Sequence, residues 1–153
     1  NAASQAVYAA NKDITGQYQY VATLDARTSS ICQRLDGQLF KYDQGPVPPQ
    51  HFNCRSTTVP VLDDDVLERA FPNTRPSATG RVPQDTNYAN WLKDNPDVQE
   101  KVLGKKKRYF NFLMSSKRGN KRLDATGALR KIIREDGSEL TLKQLASRYP
   151  NAT

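Results

Sequence analysis

Three side chains in this sequence have the donor chemistry of a metal or thiol site: Cys32, His51 and Cys54. They are the two cysteines and the single histidine of a 153-residue chain. Their order is Cys-x18-His-x2-Cys. Zinc takes thiolate and imidazole ligands in tetrahedral geometry, and a two-residue spacing lets two ligands of one loop face one point. Three soft donors leave a fourth position, for which Asp25, water or a neighbouring chain are the candidates. The same residues admit other readings. Cys32 and Cys54 pair as a disulfide in an oxidising medium, or remain packed thiols beside a histidine bonded to backbone. A Cys–His nucleophile pair would need an orienting group and an oxyanion-binding loop, and no motif supplies either, so no catalytic residue is assigned.

A second polar group surrounds the first. In "LDARTS", Asp25 is either a ligand or the acceptor of a capping turn completed by Thr28, and Arg27 pairs with it or with a partner's carboxylate. Arg55, directly after Cys54, has Asp25 or Asp36 as its expected partner. Nucleotide hydrolysis is not indicated, because "LGKKKR" lacks the Gly-rich frame of a phosphate loop.

Charge points to a polyanion. Residues 1–100 carry 9 Lys/Arg against 12 Asp/Glu, and residues 101–153 carry 14 against 4. A basic end on a mildly acidic body suits contact with nucleic acid, or is simply a solvated face. Lys105, Lys106, Lys107 and Arg108, then Lys117, Arg118, Lys121 and Arg122, lie beside aromatics and glycine. That mixture favours backbone phosphates without base reading. No apolar run approaches the roughly 18–20 residues of a membrane span. The chain opens at Asn1, with no basic start followed by an apolar run of the kind that makes a signal peptide.

These groups need elements to position them. Ala-rich residues 1–12 read as the end of a helix. "YQYVATL" alternates like a strand, and a two-turn helix follows, capped by Thr28 or Ser29 and ended at Asp36-Gly37. "GQLFKYDQG" is a short strand running into a loop. Three prolines between Pro46 and Pro49 force an extended or turning approach to His51. "RSTTVPVL" is another strand, with Pro60 marking an edge or an end. The expected fold is α+β: a small antiparallel sheet with short helices, an extended linker, and a helical basic C-terminal part. The boundaries are 1–62 for the Cys/His block, 63–86 for a linker or surface arm, and 87–153 for the basic helical part, together one functional unit. In the last, two helices break at Asn95-Pro96. A third starts at the cap Thr141, with Leu142, Leu145 and Tyr149 at helical spacing.

"YVATLDARTSSICQRLDGQLF" followed by "PVPPQHFNCRSTTVPVL" resembles the phage head morphogenesis family, the minor head proteins related to protein F of phage Mu. The resemblance is carried by Asp25, Arg27, Thr28, Cys32, Gly37, Pro48, Pro49, His51, Cys54 and Arg55. The Tyr, Trp-Leu, Leu-Gly and Leu-Thr-Leu features further on extend it over residues 18–148. The family pattern often has a further cysteine after the Cys-Arg pair, where this chain has Ser56. The resemblance implies a virion protein of the head interior or portal vertex, assembled in the host bacterial cytoplasm and oligomeric only within the virion. Its implied partners are portal or major capsid protein and double-stranded DNA bound without sequence preference. Its implied role is in head assembly and in DNA packaging or delivery. It further implies a C-terminal domain of a longer protein or a short form of one, and a structural motif of Arg27, Thr28, Gly37 and Arg55. The metal set of Cys32, His51 and Cys54 with Asp25, zinc being the candidate ion, rests on the residues themselves. The alternative is a nuclease or toxin-type effector acting on nucleic acid.

Overall fold

The computed structural model of the chain describes residues 16–61, 74–115, 117–118 and 121–152, the last two pairs of strand residues before 123 by their backbone alone. The expected N-terminal helix over 1–12 and the acidic stretch from Asp63 to Asp65 lie outside the described residues.

Strand β1 (Gln17–Val21) is central in a three-stranded antiparallel sheet, between β2 (Leu39–Lys41) and β3 (Thr57–Pro60). Its register sets Tyr18 against Phe40 and Tyr20 against Thr58. Alternation does the rest: Tyr18 and Tyr20 are fully buried and their neighbours are half-exposed, the period-two pattern of a sheet with one covered face. Helix α1 (Ser30–Leu35) lies between β1 and β2 and buries Cys32, Gln33 and Leu35. Gly37 ends it at φ +82, a left-handed conformation glycine adopts without penalty. Its N–H then donates to the Tyr20 carbonyl at 2.8 Å.

The span expected as a linker is structured where it is described. Residues Thr74–Arg75 (β4) and Val82–Pro83 (β5) pair as a hairpin, and Arg75 is buried. Its guanidinium meets Asp36 at 3.1 and 3.2 Å and donates to the carbonyls of Ala22 at 2.6 Å and Thr86 at 2.9 Å. Asp36 also accepts from the N–H groups of Ala22 and Tyr88, each at 2.8 Å. Burial raises the Asp36 carboxyl, while the Arg75 charge and the two amides act in the opposite direction. One ion pair thus joins the sheet, the hairpin and the helical part.

That helical part follows the expected break at Asn95-Pro96: α2 is Tyr88–Asp94 and α3 is Pro96–Leu103, with proline at a first-turn position where no N–H is lost. A second break, not expected, falls at Gly104 (φ +55). A 3₁₀ turn (Gly104–Lys106) there leads into α4 (Lys107–Ser115). Strands β6 (Lys117–Arg118) and β7 (Lys121–Arg122) pair next. Helix α5 (Ala125–Ile132) was not anticipated, although its signals are present. Asp124 caps the N–H of Gly127 at 2.7 Å, and Ala125, Ala128, Leu129 and Ile132 form its buried stripe. Helix α6 (Leu142–Arg148) has the expected Thr141 cap, completed as a capping box by Gln144. Leu145 and Tyr149 are buried, whereas Leu142 stays exposed.

The main core joins Leu24 to the helices through Tyr88, Trp91, Leu92, Phe110, Leu113, Leu129 and Ile132. A smaller cluster of Tyr20, Ala22, Cys32 and Leu35 sits under the sheet, with Ile31, Phe40 and Cys54 against it. Arg34 of α1 ties the two parts by donating to the carbonyls of Ile133 at 2.6 Å and Arg130 at 3.2 Å, at the end of α5.

Candidate metal centre

Helix α1 carries Cys32 inward, and the loop between β2 and β3 brings His51 and Cys54 to it. The loop folds as it does for local reasons. Pro48–Pro49 is a cis bond, and Cys54 N–H donates to His51 O at 3.3 Å, closing a turn across Phe52 and Asn53. Asn53 takes φ +62 there, a left-handed conformation that asparagine tolerates better than most residues. The two-residue spacing therefore sets His51 and Cys54 at the two ends of one turn, on the same side.

The donor atoms of Cys32, His51 and Cys54 lie within 4.8 Å of one another. Cys32 Sγ is 3.4 Å from His51 Nε2 and 3.7 Å from Cys54 Sγ. Bonds of about 2.3 Å to sulfur and about 2.0–2.1 Å to nitrogen at a tetrahedral zinc give edges of about 3.8 Å (S···S) and about 3.5 Å (S···N). The observed separations match those edges, and the two sulfurs are not joined as a disulfide.

Protonation fits as well. His51 Nδ1 lies 2.8 Å from the Phe52 carbonyl, an acceptor only. The ring proton therefore sits on Nδ1, and Nε2 turns its lone pair to the sulfurs. Burial alone raises the Cys54 thiol. Hydrogen bonds at the Gln50 and Ser56 backbone, the Ser56 side chain and Cys32 outweigh it and lower the thiol to about 6. Tyr20 Oη stands 3.4 Å from Cys32 Sγ and 3.9 Å from Cys54 Sγ. Burial foremost pushes its own ionisation well above the ordinary tyrosine range, so it stays a hydroxyl, suited to donate to thiolates rather than to bind metal as phenolate.

Asp25 is not part of this group. Both its oxygens face Arg55, at 2.5 and 2.8 Å, and one also accepts from Arg27 N–H at 2.9 Å and Thr28 Oγ1 at 3.2 Å. The expected Asp25–Arg55 pair is thus formed, and so is the capping turn, while the expected ligand role for Asp25 has no geometric support. The Arg55 hydrogen bond is the main reason the Asp25 carboxyl falls to about 2. Arg27 pairs with it only through its backbone, and its side chain borders a small cleft. Gly37 occupies the expected turn.

Of the basic residues, Lys106 pairs with Glu139 at 3.5 Å, Lys107 pairs with Glu100, and Arg108 lies on the Tyr109 ring at 4.8 Å and donates to its hydroxyl. Lys105 is exposed on the 3₁₀ turn. In the β6–β7 hairpin, Lys117 faces Arg122 and Arg118 faces Lys121 along the backbone register, and the side chains of these four lie outside the described residues. Sequence reasoning missed Tyr20 as a polar group, Arg75, and Phe52, which is 91% exposed at the tip of the ligand turn. Only Phe52 had a usable signal, an apolar residue inside a turn too tight to bury it.

Comparison with known proteins bears on the same stretch. Residues 1–59 match the model of the family described as "Phage Mu protein F like protein", a span that contains Asp25, Cys32, His51, Cys54 and Arg55. A protein of Haemophilus influenzae (strain ATCC 51907 / DSM 11121 / KW20 / Rd), described as "Uncharacterized protein", is 32% identical over 93 residues. That alignment takes in 58% of this chain and 20% of the relative, so the chain spans about a fifth of the relative's length. No solved structure matches.

Proposed function

We propose that this chain is a module of a minor head protein that helps assemble a phage head, and that a metal ion, zinc by its donor set, clasps it through Cys32, His51 and Cys54. The observation that carries the reading is the coincidence of two facts: the family match falls on residues 1–59, and within it three soft donors lie within 4.8 Å of one another, Cys32 standing at tetrahedral-edge distance from each of the other two. A bound ion would tie α1 to the β2–β3 loop where the small cluster alone offers little burial. Its role in this reading is to hold the fold, since a domain of this size gains much from a cross-link.

The reading extends to partners. Head and portal proteins are its protein partners, and Phe52, fixed on the clasped turn, is a natural contact for one of them. DNA is held through phosphates by Lys105 and the basic hairpin, since Lys106 and Lys107 are already paired within the chain. No catalysis is assigned. Elemental analysis of chelator-free protein, with a thiol count after denaturation, tests the clasp. One zinc and two thiols per chain are expected, while no metal and no thiols would mean a disulfide instead. Recovery of the protein with phage heads, lost with a Phe52→Ala variant that still folds, tests the assembly role. Cleavage of DNA or RNA abolished by His51→Ala would instead establish an effector enzyme.

A further inference from the structure

The three ligands are not the whole of the centre. Cys32 and His51 also border a cleft with room for about one water molecule, whose other walls include Arg27, Thr28, Ser29 and Ser56. Asp25, the carboxylate nearest in sequence, is engaged by Arg55, and Tyr20, which approaches both sulfurs, is not a lining residue of the cleft. Three side-chain donors leave a tetrahedral ion one position short, and the cleft borders two of those three, Cys32 and His51.

Ser29 supplies a second and independent observation. It occupies the position before α1 where a serine ordinarily caps a backbone N–H with its hydroxyl, yet it makes no such bond. Its Oγ is buried and has no hydrogen-bond partner among the described residues. An orphaned hydroxyl of this kind is costly unless something outside the chain satisfies it. Arg27 adds an exposed cation at the rim.

Resting on the metal reading above, we propose that the centre keeps its fourth coordination position open to an exchangeable small oxygen ligand. Water would fill it at rest, with the Ser29 hydroxyl in the cleft wall to hold it, and a small anion would replace it beside Arg27. The site thus holds the fold and still accepts an outside ligand, a metal centre of the three-ligand-plus-water type.

Cobalt(II)-loaded full chain tests this, because the metal's spectrum reports its own ligands. A sulfur-to-cobalt charge-transfer band with one equivalent of cobalt establishes the clasp. If that band never forms, the metal reading itself fails. Given the band, azide should shift the visible d–d absorption saturably, and ¹⁷O-enriched water should broaden the cobalt electron paramagnetic resonance lines. Ser29→Ala should weaken azide roughly 3- to 10-fold with cobalt affinity unchanged, the loss expected for one hydrogen bond. Arg27→Gln should weaken azide in the same direction. A band that forms but ignores both azide and ¹⁷O-water overturns the proposal, since a side chain or a second copy then closes the shell. A response to azide that Ser29→Ala leaves untouched overturns the role given to Ser29.

Discussion

At the scale of single residues, the centre depends on which atoms carry protons. Tyr20 Oη serves both sulfurs and remains protonated, so Tyr20→Phe removes a donor to the thiolates while keeping the buried ring. Outer-shell partners of this kind contribute about 10- to 100-fold in metal affinity. Chelator competition on Tyr20→Phe should show a loss in that range with the fold intact, and unchanged affinity would reduce Tyr20 to packing. The Asp25–Arg55 pair acts through pH. The Asp25 carboxyl is lowered to about 2 in the folded chain from an ordinary value near 3.8, chiefly by Arg55. The unfolded chain therefore binds the proton more readily, and the pair's stabilisation is present above pH ~4 and lost as pH falls through 2. Denaturation of Asp25→Asn against the parent should show a gap at pH 6 that narrows steadily between pH 4 and 2. A gap independent of pH would mean that the charge is irrelevant and the turn alone matters. The sequence left Arg55 two carboxylates, Asp25 and Asp36, and tertiary structure chose between them by giving Asp36 to Arg75.

Secondary elements were read where local signals agree. The strands over "YQYVATL" and "RSTTVPVL", the stop at Gly37, the break at Asn95-Pro96 and the Thr141 cap each follow from alternation, turn chemistry or capping. Helix α5 went unread because Gly127 interrupts it and only one and a half turns follow, although Asp124 and the spacing of Ala125, Leu129 and Ile132 suffice. The span 63–86, expected as a linker or surface arm, was less legible for a different reason. Its prolines, glycine and threonines look like a tether, and nothing local says that Arg75 points inward to a carboxylate 39 residues earlier. Removing one partner of a buried pair strands the other, at about 3–5 kcal/mol. Urea denaturation of Arg75→Ala should show a loss of that size, with Arg75→Ala/Asp36→Ala less unstable than the sum of its parts. A loss under about 1 kcal/mol would demote the pair to a bystander. Thr141→Ala should cost only about 1 kcal/mol, since the box closes a solvent-facing helix end.

For the whole molecule, the proposed contact with DNA is a matter of net charge. Binding driven by phosphates falls with salt, and each phosphate neutralised adds about 0.9 to the slope of log K against log salt. Lys105→Ala should lower that slope by close to one phosphate, whereas Lys107→Ala, already paired with Glu100, should lower it by much less. Equal effects of the two would mean that the internal pair opens on binding, and a salt-independent affinity would remove DNA from the partners.

The sequence by itself determined the donor set, the α+β class, the break at Asn95-Pro96, the Thr141 cap and the polarity of charge along the chain. Each depends on residue type at short range, where spacing and backbone preference act directly. Tertiary structure alone decided the rest: that Cys32 meets His51 and Cys54 at tetrahedral distances, that Asp25 turns to Arg55 and stays out of that group, that Tyr20 approaches both sulfurs, and that Arg75 binds Asp36. These outcomes join residues tens of positions apart. They follow from how a three-stranded sheet, a hairpin and a helical core exclude water from the same space, which no local pattern encodes.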